Sequence, residues 1–127
     1  MLGLLAMADV APRSTPRTAL RHARRAMDYI ETHFRDISTV AEIAAACGTG
    51  IRSLELAFRD VWGLSPNQAL TEIRLLAARQ RLALPGPPAT VAEIAMDCGF
   101  GHLGRFPAQY RARFGELPSA TLKRSRG

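Results

Sequence analysis

One stretch of this chain occurs twice, and that repeat limits the possible folds more than any other feature. The letters TVAEIA at residues 39–44 recur unchanged at residues 90–95, and both copies continue through two residues to Cys-Gly. Further on, each copy has a glycine followed three residues later by a proline; these are Gly63 and Pro66 in the first copy and Gly115 and Pro118 in the second. A repeat of this kind predicts one supersecondary unit that is folded twice.

Each copy has the pattern of a helix, a turn and a second helix. Thr39 with Glu42, and Thr90 with Glu93, have the spacing of a capping box, in which two side chains satisfy free backbone N–H groups. A glycine follows Cys47 and Cys98, where a helix ends most easily in a left-handed residue. The inward positions of the first helices are Val40, Ile43, Ala44 and Cys47, and Val91, Ile94, Ala95 and Cys98.

The other helices follow from apolar spacing and from breakers. We expect helices over about 18–34, 51–62 and 67–84, the last ended by the Pro-Gly-Pro-Pro run at 85–88. No alternation of period two occurs, so the fold is predicted to be all-α. Residues 123–127 are expected to fray. The expected inward residues are Ala23, Met27, Ile30 and Phe34; Leu54, Phe58, Val61 and Trp62; and Leu70, Ile73, Leu76, Ala77 and Leu84, with Arg74, Arg79 and Arg81 outward.

The charge favours an anionic partner. The net charge is +6, and Lys123 is the only lysine among 17 cationic residues. Arginine suits bidentate contact with phosphates and guanine edges, although charge alone does not separate nucleic acid from an acidic protein or a membrane surface. Cys47 and Cys98 are expected as buried apolar residues of a cytoplasmic protein. The sequence predicts no metal, no cofactor, no membrane span and no catalytic constellation.

The ordered motifs resemble those of AraC/XylS-type transcription regulators over about residues 20–122. The first unit carries the resemblance at Ala41, Ala44, Cys47, Gly48, Ser53, Leu54, Phe58, Arg59, Gly63, Ser65 and Pro66. Arg74 and Leu82 resemble the connecting helix of that family. The second unit matches at Ile94, Ala95, Cys98, Gly99, Phe100, Phe106, Tyr110, Phe114, Gly115 and Pro118.

The resemblance implies two helix-turn-helix subdomains of three-helix type joined by a long linker helix. We expect an N-terminal extension at 1–16, a first subdomain at 17–66, the linker helix at 67–84, a second subdomain at 85–122 and a basic tail at 123–127. Family members usually carry a separate sensing or dimerising domain, for which residues 1–16 are too short. Whether the chain is a stand-alone module or part of a longer regulator stays open.

The implied function is that two recognition helices enter neighbouring major-groove segments of double-stranded DNA. The family's base-reading positions fall on Arg52, Glu55 and Leu56. Arg52 suits a guanine, Glu55 a cytosine amino group, and Leu56 a thymine methyl group or a sugar. Glu55 has an alternative role as the partner of Arg59 at i, i+4. Backbone contacts are expected from Arg59, Thr49, His102, Arg105 and Arg111.

The second recognition helix departs from this pattern. Its reading positions fall on Leu103, Gly104, Pro107 and Ala108, whose side chains carry no donor or acceptor. Pro107 would lie about five residues into the helix, at a cost of about 3 kcal/mol unless the helix starts late or kinks. We therefore expect an asymmetric reader, in which the second unit mainly contacts phosphates. The rival interpretation is a helical protein-interaction module of a regulator with weakened or lost DNA binding. RNA polymerase is a further partner that the family implies.

Overall fold

The computed structural model describes residues 17–84 and 86–126. The expectations for residues 1–16, Pro85 and Gly127 lie outside these ranges. The described residues form seven helices and no strand, which confirms the all-α prediction. The helices are α1 (Arg17–His33), α2 (Val40–Ala46), α3 (Ile51–Trp62), α4 (Pro66–Ala83), α5 (Val91–Asp97), α6 (Phe106–Phe114) and α7 (Pro118–Arg126). The chain divides into two compact units, Met1–Ile73 and Arg74–Gly127.

In the first unit, α1 packs against α2 and α3 through the predicted inward residues. Ala23, Met27 and Ile30 of α1 are buried, as are Leu54 and Phe58 of α3. The Trp62 side chain is also buried, and its indole N–H donates to the carbonyl oxygen of Ala23 across 3.3 Å. This bond satisfies the one polar group that the indole brings into the core. It thereby fixes α3 against α1.

The second unit has its own core around α5 and α6. Leu82, Ile94, Cys98 and the aromatic rings of Phe106 and Tyr110 are buried together. Phe100 and Phe114 cover the edges of this cluster, and neighbouring ring centroids lie 4.7–5.7 Å apart. Aromatic rings at such distances pack favourably when they are tilted, as these are. The repeated apolar pattern therefore forms two separate cores.

The repeated helix ends behave alike, whereas the repeated helix starts differ. After α2, the Thr49 N–H donates to Ala44 and the Gly48 N–H to Ala45, and after α5 the corresponding bonds recur. This is the Schellman arrangement, with φ at +71° for Gly48 and +99° for Gly99. The predicted capping box is complete at Thr90. In the first copy only half of it forms, because the Glu42 carboxylate accepts from the Ser38 N–H and the Tyr29 hydroxyl.

The interpretation of α4 was partly wrong. Leu84, which we expected inside, lies beyond the helix and is 57% exposed. Arg74, which we expected outward, is half-buried, and burial lowers the pKa of its guanidinium. The core positions are Ala69, Leu70 and Ile73 in the first half of the helix, and Leu75, Ala78 and Leu82 in the second. The buried positions shift their face between the two halves, so no single apolar stripe runs along α4 and periodicity misplaces its residues.

The expected fraying of the basic tail was also wrong for the described residues. Residues 123–126 form the last turn of α7. Arg124 donates from both terminal nitrogens to the carboxylate of Glu116. The Arg126 side chain donates to the carbonyl oxygen of Ala89. These contacts fasten α7 to the rest of the second unit.

Candidate nucleic-acid interface

The face of α3 that points away from the core carries the three predicted base-reading side chains. Leu54, Ala57 and Phe58 are buried on one side of this helix. Arg52, Glu55, Leu56 and Arg59 are all exposed on the other side. Because the whole helix is 12 residues long, its exposed face spans about 18 Å at 1.5 Å per residue. The helix diameter, about 10–12 Å with side chains, fits the major groove, which is about 12 Å wide.

The charged groups on this face are available for a partner. Within the described part of the chain, no ion pair joins Glu55 to Arg59, so the predicted alternative role of Glu55 is absent from this structure. Thr49 is half-buried, and its backbone N–H is used by the Schellman turn. Any phosphate contact that Thr49 makes must therefore come from its hydroxyl.

The sequence interpretation missed Ser53 on the same face. Its side chain is exposed next to Arg52 and one turn from Leu56. The 3.6-residue period that placed Leu54 inward also places Ser53 near the outward face. A serine hydroxyl both donates and accepts, so it can contact a base edge or a phosphate. The position of Ser53 on the outward face can be predicted by projecting every residue of this helix, and not only the apolar ones, onto a helical wheel.

The two recognition helices, α3 and α6, begin without a side-chain cap. Gly50 and Arg105 are their N-cap residues, and neither accepts a hydrogen bond through its side chain. By contrast, α2, α4 and α5 are capped by Thr39, Ser65 and Thr90. In the first turns of α3 and α6, the backbone N–H groups therefore have no capping side chain, and Pro107 of α6 has no N–H group. Uncapped N–H groups bind anions, including phosphates, at helix N-termini.

The second recognition helix starts late. α3 begins three residues after Gly48, whereas α6 begins seven residues after Gly99. A turn closed by the Arg105 N–H and the His102 carbonyl oxygen, 3.0 Å apart, replaces the missing helical residues. Pro107 consequently lies in the first turn of α6, where its missing N–H breaks no helical hydrogen bond. The expectation that Pro107 lies five residues into the helix was wrong.

The exposed face of α6 has alanine side chains along its middle and positively charged side chains on both sides. Ala108 and Ala112 lie opposite the buried Phe106 and Tyr110, and both alanines are exposed. Flanking them are exposed polar side chains, which include the predicted backbone contacts His102, Arg105 and Arg111. Two further guanidinium groups, those of Arg79 and Arg113, lie 4.4 and 4.9 Å from the centroid of the Phe114 ring. This surface can attract phosphates, but it presents few donors to base edges.

A row of four arginines lies on the opposite side of the first unit. The inward faces of α1 and α3 pack against each other, so the outward face of α1 points away from that of α3. Four exposed arginines lie on this outward face, and we call them the arginine row. They are Arg17, Arg21, Arg24 and Arg25.

Among the described residues there is neither a metal site nor a membrane-spanning helix. Residues 17–84 and 86–126 contain no group of three or more His, Cys, Asp or Glu side chains placed to hold a metal ion. Over the same ranges, every helix is too short or too polar to span a bilayer. Cys47 and Cys98 are both buried and form no disulfide, in agreement with their prediction as small core residues.

The comparison with known proteins decides the family. The helix-turn-helix domain family matches residues 43–124. A solved structure from Rhodopseudomonas palustris CGA009, described as a probable AraC family transcriptional regulator, is 36% identical and superposes with a TM-score of 0.77. The superposition covers 84% of this chain and 98% of that one. The chain belongs to the AraC/XylS family.

Curated relatives of this AraC/XylS chain are longer proteins. The probable thc operon regulatory protein of Rhodococcus erythropolis is 38% identical over 97% of this chain, which corresponds to 39% of the relative. The XylDLEGF operon transcriptional activator 3 of Pseudomonas putida is 36% identical over 79% of this chain and 30% of its own length. The chain therefore spans well under half the length of these relatives, and the part that it matches is the DNA-binding domain of the family.

Proposed function

We propose that this chain is the DNA-reading part of a bacterial transcription regulator and that α3 reads bases in the major groove. The proposal rests on the exposure of Arg52, Glu55 and Leu56 on the outward face of α3. The opposite face of the helix packs into the core of the first unit. Arg52 donates two hydrogen bonds to a guanine, and Glu55 accepts from a cytosine amino group. Arg59 and the hydroxyl of Thr49 contact the phosphates beside them.

The second unit meets the adjacent major-groove segment and contributes mainly backbone contacts. His102, Arg105 and Arg111 supply the cations or donors, and the uncapped N–H groups that remain beside Pro107 at the start of α6 add to them. The alanine face of α6 supports this division, because a methyl group offers no hydrogen bond to distinguish guanine from adenine. Sequence specificity then comes mostly from the half-site that contacts α3.

The proposal is tested by selecting duplexes that bind the chain from a random pool and then measuring the affinity for the enriched sequence by titration. We expect one sequence to be enriched and its affinity to fall with added salt. About six phosphate contacts give a log–log slope near −5. Matched substitutions separate the roles: Arg52→Ala relaxes the sequence preference, whereas Arg111→Ala weakens all duplexes alike and makes the slope shallower by about one. The proposal is contradicted if no sequence is enriched and the affinity for DNA does not change with salt.

A second function, contact with an acidic protein, is favoured by the arginine row. Its four guanidinium groups are exposed on the side of the first unit that faces away from α3. The positive charge stops at Asp28, and Glu31 follows on the same helix. A partner with both charges matches such a pattern better than a uniformly negative duplex does. RNA polymerase is the partner that the family resemblance suggests.

Charge reversal tests this second function. The double substitution Arg21→Glu and Arg24→Glu leaves the affinity for the selected duplex within about twofold, because the row does not face α3. The same variant loses the effect of the chain on transcription by purified RNA polymerase. A matched reversal at exposed Arg35, outside the row, retains that effect. Equal loss of duplex affinity in the row variant would instead place DNA on this face.

A further inference from the structure

Two apolar side chains of α3 are exposed, Ile51 and Leu56. Ile51 is the first residue of the helix and lies about 140° around the helix axis from Leu56. Leu56 is the one apolar side chain at the centre of the outward face. It is 58% exposed, although its neighbours on the outward face are polar. Leu54 is fully buried, and at about 100° per residue Leu56 points about 200° away from it. The leucine therefore lies near the centre of the outward face. The polar side chains around it are Arg52, Ser53, Glu55, Arg59 and Asp60.

This position determines what Leu56 can recognise. A leucine side chain has no donor or acceptor, so it gains free energy only by removing apolar surface from water. In the major groove the base edges carry donors and acceptors, with one apolar group, the C5 methyl of thymine. The charged neighbours of Leu56 contact polar edges and phosphates. The leucine at the centre of the same face then meets a methyl group.

We infer that Leu56 recognises a pyrimidine C5 methyl group, so this chain distinguishes thymine from the unmethylated pyrimidines at one position of its site. The inference rests on the proposed function, since it requires α3 in the major groove. It goes further by naming the chemical group and the residue. It also has a regulatory consequence: 5-methylcytosine presents the same methyl group, so cytosine methylation at that position strengthens binding.

The experiment uses the full chain and the duplex selected from a random pool. Each thymine in turn is replaced by deoxyuridine, which removes the methyl group and keeps the base-pairing edge. At one position we expect binding to weaken about fourfold, the factor for burial of one methyl group. Replacement of the same thymine by cytosine, with guanine opposite, weakens binding further. Its 5-methyl form recovers about fourfold of that loss.

Matched variants assign the effect to Leu56. Leu56→Ala binds the thymine and deoxyuridine duplexes equally, whereas Leu56→Met, which keeps an apolar side chain of similar reach, retains the preference. Leu84→Ala is the control, because Leu84 is 57% exposed but lies outside α3; it leaves the preference unchanged. Thermal unfolding checks that each variant folds, which the exposure of both leucines favours.

The outcomes separate the inference from the function that underlies it. A chain that binds the selected duplex but tolerates deoxyuridine at every thymine overturns the inference and leaves the proposed function standing. A preference that survives Leu56→Ala overturns it as well. A chain that binds no duplex overturns both. A preference that is lost only in Leu56→Ala supports the inference.

Discussion

Arg124 donates to both carboxylate oxygens of Glu116, each across 2.8 Å, and so joins the last helix to the loop that ends the second recognition helix. Glu116 also accepts from the Thr121 hydroxyl, which lies 2.9 Å from the hydroxyl of Tyr110. Tyr110 is fully buried in the middle of α6. The four side chains thus form a polar chain that fixes α6 relative to α7. It also occupies Arg124, which is therefore not a free phosphate contact.

This arrangement makes the second unit sensitive to acid. The hydrogen bonds from Arg124, followed by the one from Thr121, lower the pKa of Glu116 from 4.5 to about 2. A carboxyl group whose pKa is lower in the folded state stabilises the fold above its unfolded pKa. That stabilisation is lost as the pH falls from about 4.5 to about 2. We expect Glu116→Gln to lower the melting temperature at pH 7 and to have progressively less effect between these two values.

Melting curves of both proteins at several pH values check this prediction. The control is Glu55→Gln, an exposed carboxylate on α3 without a hydrogen bond or ion pair in the described residues. Its melting temperature should follow the wild type at every pH. A Glu116→Gln difference that stays constant from pH 7 to pH 2 would show that the ionised pair is not the source.

A cap added to α3 should separate stability from DNA binding. Gly50 has φ −88° and ψ 165°, which any residue adopts, and a Cβ added there meets nothing within 4 Å. Gly50→Asp therefore supplies the missing cap and stabilises the fold by a few tenths of a kcal/mol. The new carboxylate occupies the N–H groups and repels a phosphate, so duplex affinity falls about tenfold.

Denaturant unfolding and duplex titration measure the two effects of Gly50→Asp. Gly86→Asp is the matched control, because Gly86 also has open space around it and lies in the linker between α4 and α5. It adds the same charge and should weaken the duplex much less. Equal losses at both positions would mean that net charge, and not the start of α3, explains the effect.

Pro107 should prove nearly neutral for stability. It lies in the first turn of α6, where its absent N–H would have no helical partner. We expect Pro107→Ala to change the free energy of unfolding by less than about 1 kcal/mol, whereas relief of a proline in a helix interior would give about 3 kcal/mol. Chemical denaturation measures the change. A gain near the larger figure would contradict the late start of α6.

The sequence predicted the parts of this fold that local chemistry determines. The bounds of α3 at Ile51 and Trp62 agree with the prediction, because a Schellman glycine precedes the helix and Gly63, at φ +74°, ends it. The inward residues of α1 and α3 are also confirmed, since one core-facing stripe at 3.6-residue spacing specifies each helix. The exposure of Arg52, Glu55 and Leu56 followed directly from that stripe.

Three features depend on tertiary structure and were not predicted from the sequence. Leu84 and Arg74 were misplaced because the buried positions on α4 shift between its two halves. Residues 123–126 were expected to fray, but Arg124 pairs with Glu116, eight positions earlier and across a turn, and this pair helps to keep them helical. Glu42 forms only half of a capping box, because Tyr29 from another helix and Ser38 take its carboxylate. Apolar spacing and capping patterns do not show which of several possible partners a side chain contacts in the folded chain.

A mismatch scan of the selected duplex tests most directly whether α3 reads the sequence. Every base pair is changed in turn, and the dissociation constant is measured for the wild type and for Arg52→Ala. We predict penalties of about 1–3 kcal/mol per base pair in one half-site, much smaller penalties in the other, and loss of one of the large penalties in Arg52→Ala. Equal penalties in both half-sites, or an unchanged pattern in Arg52→Ala, would contradict this prediction.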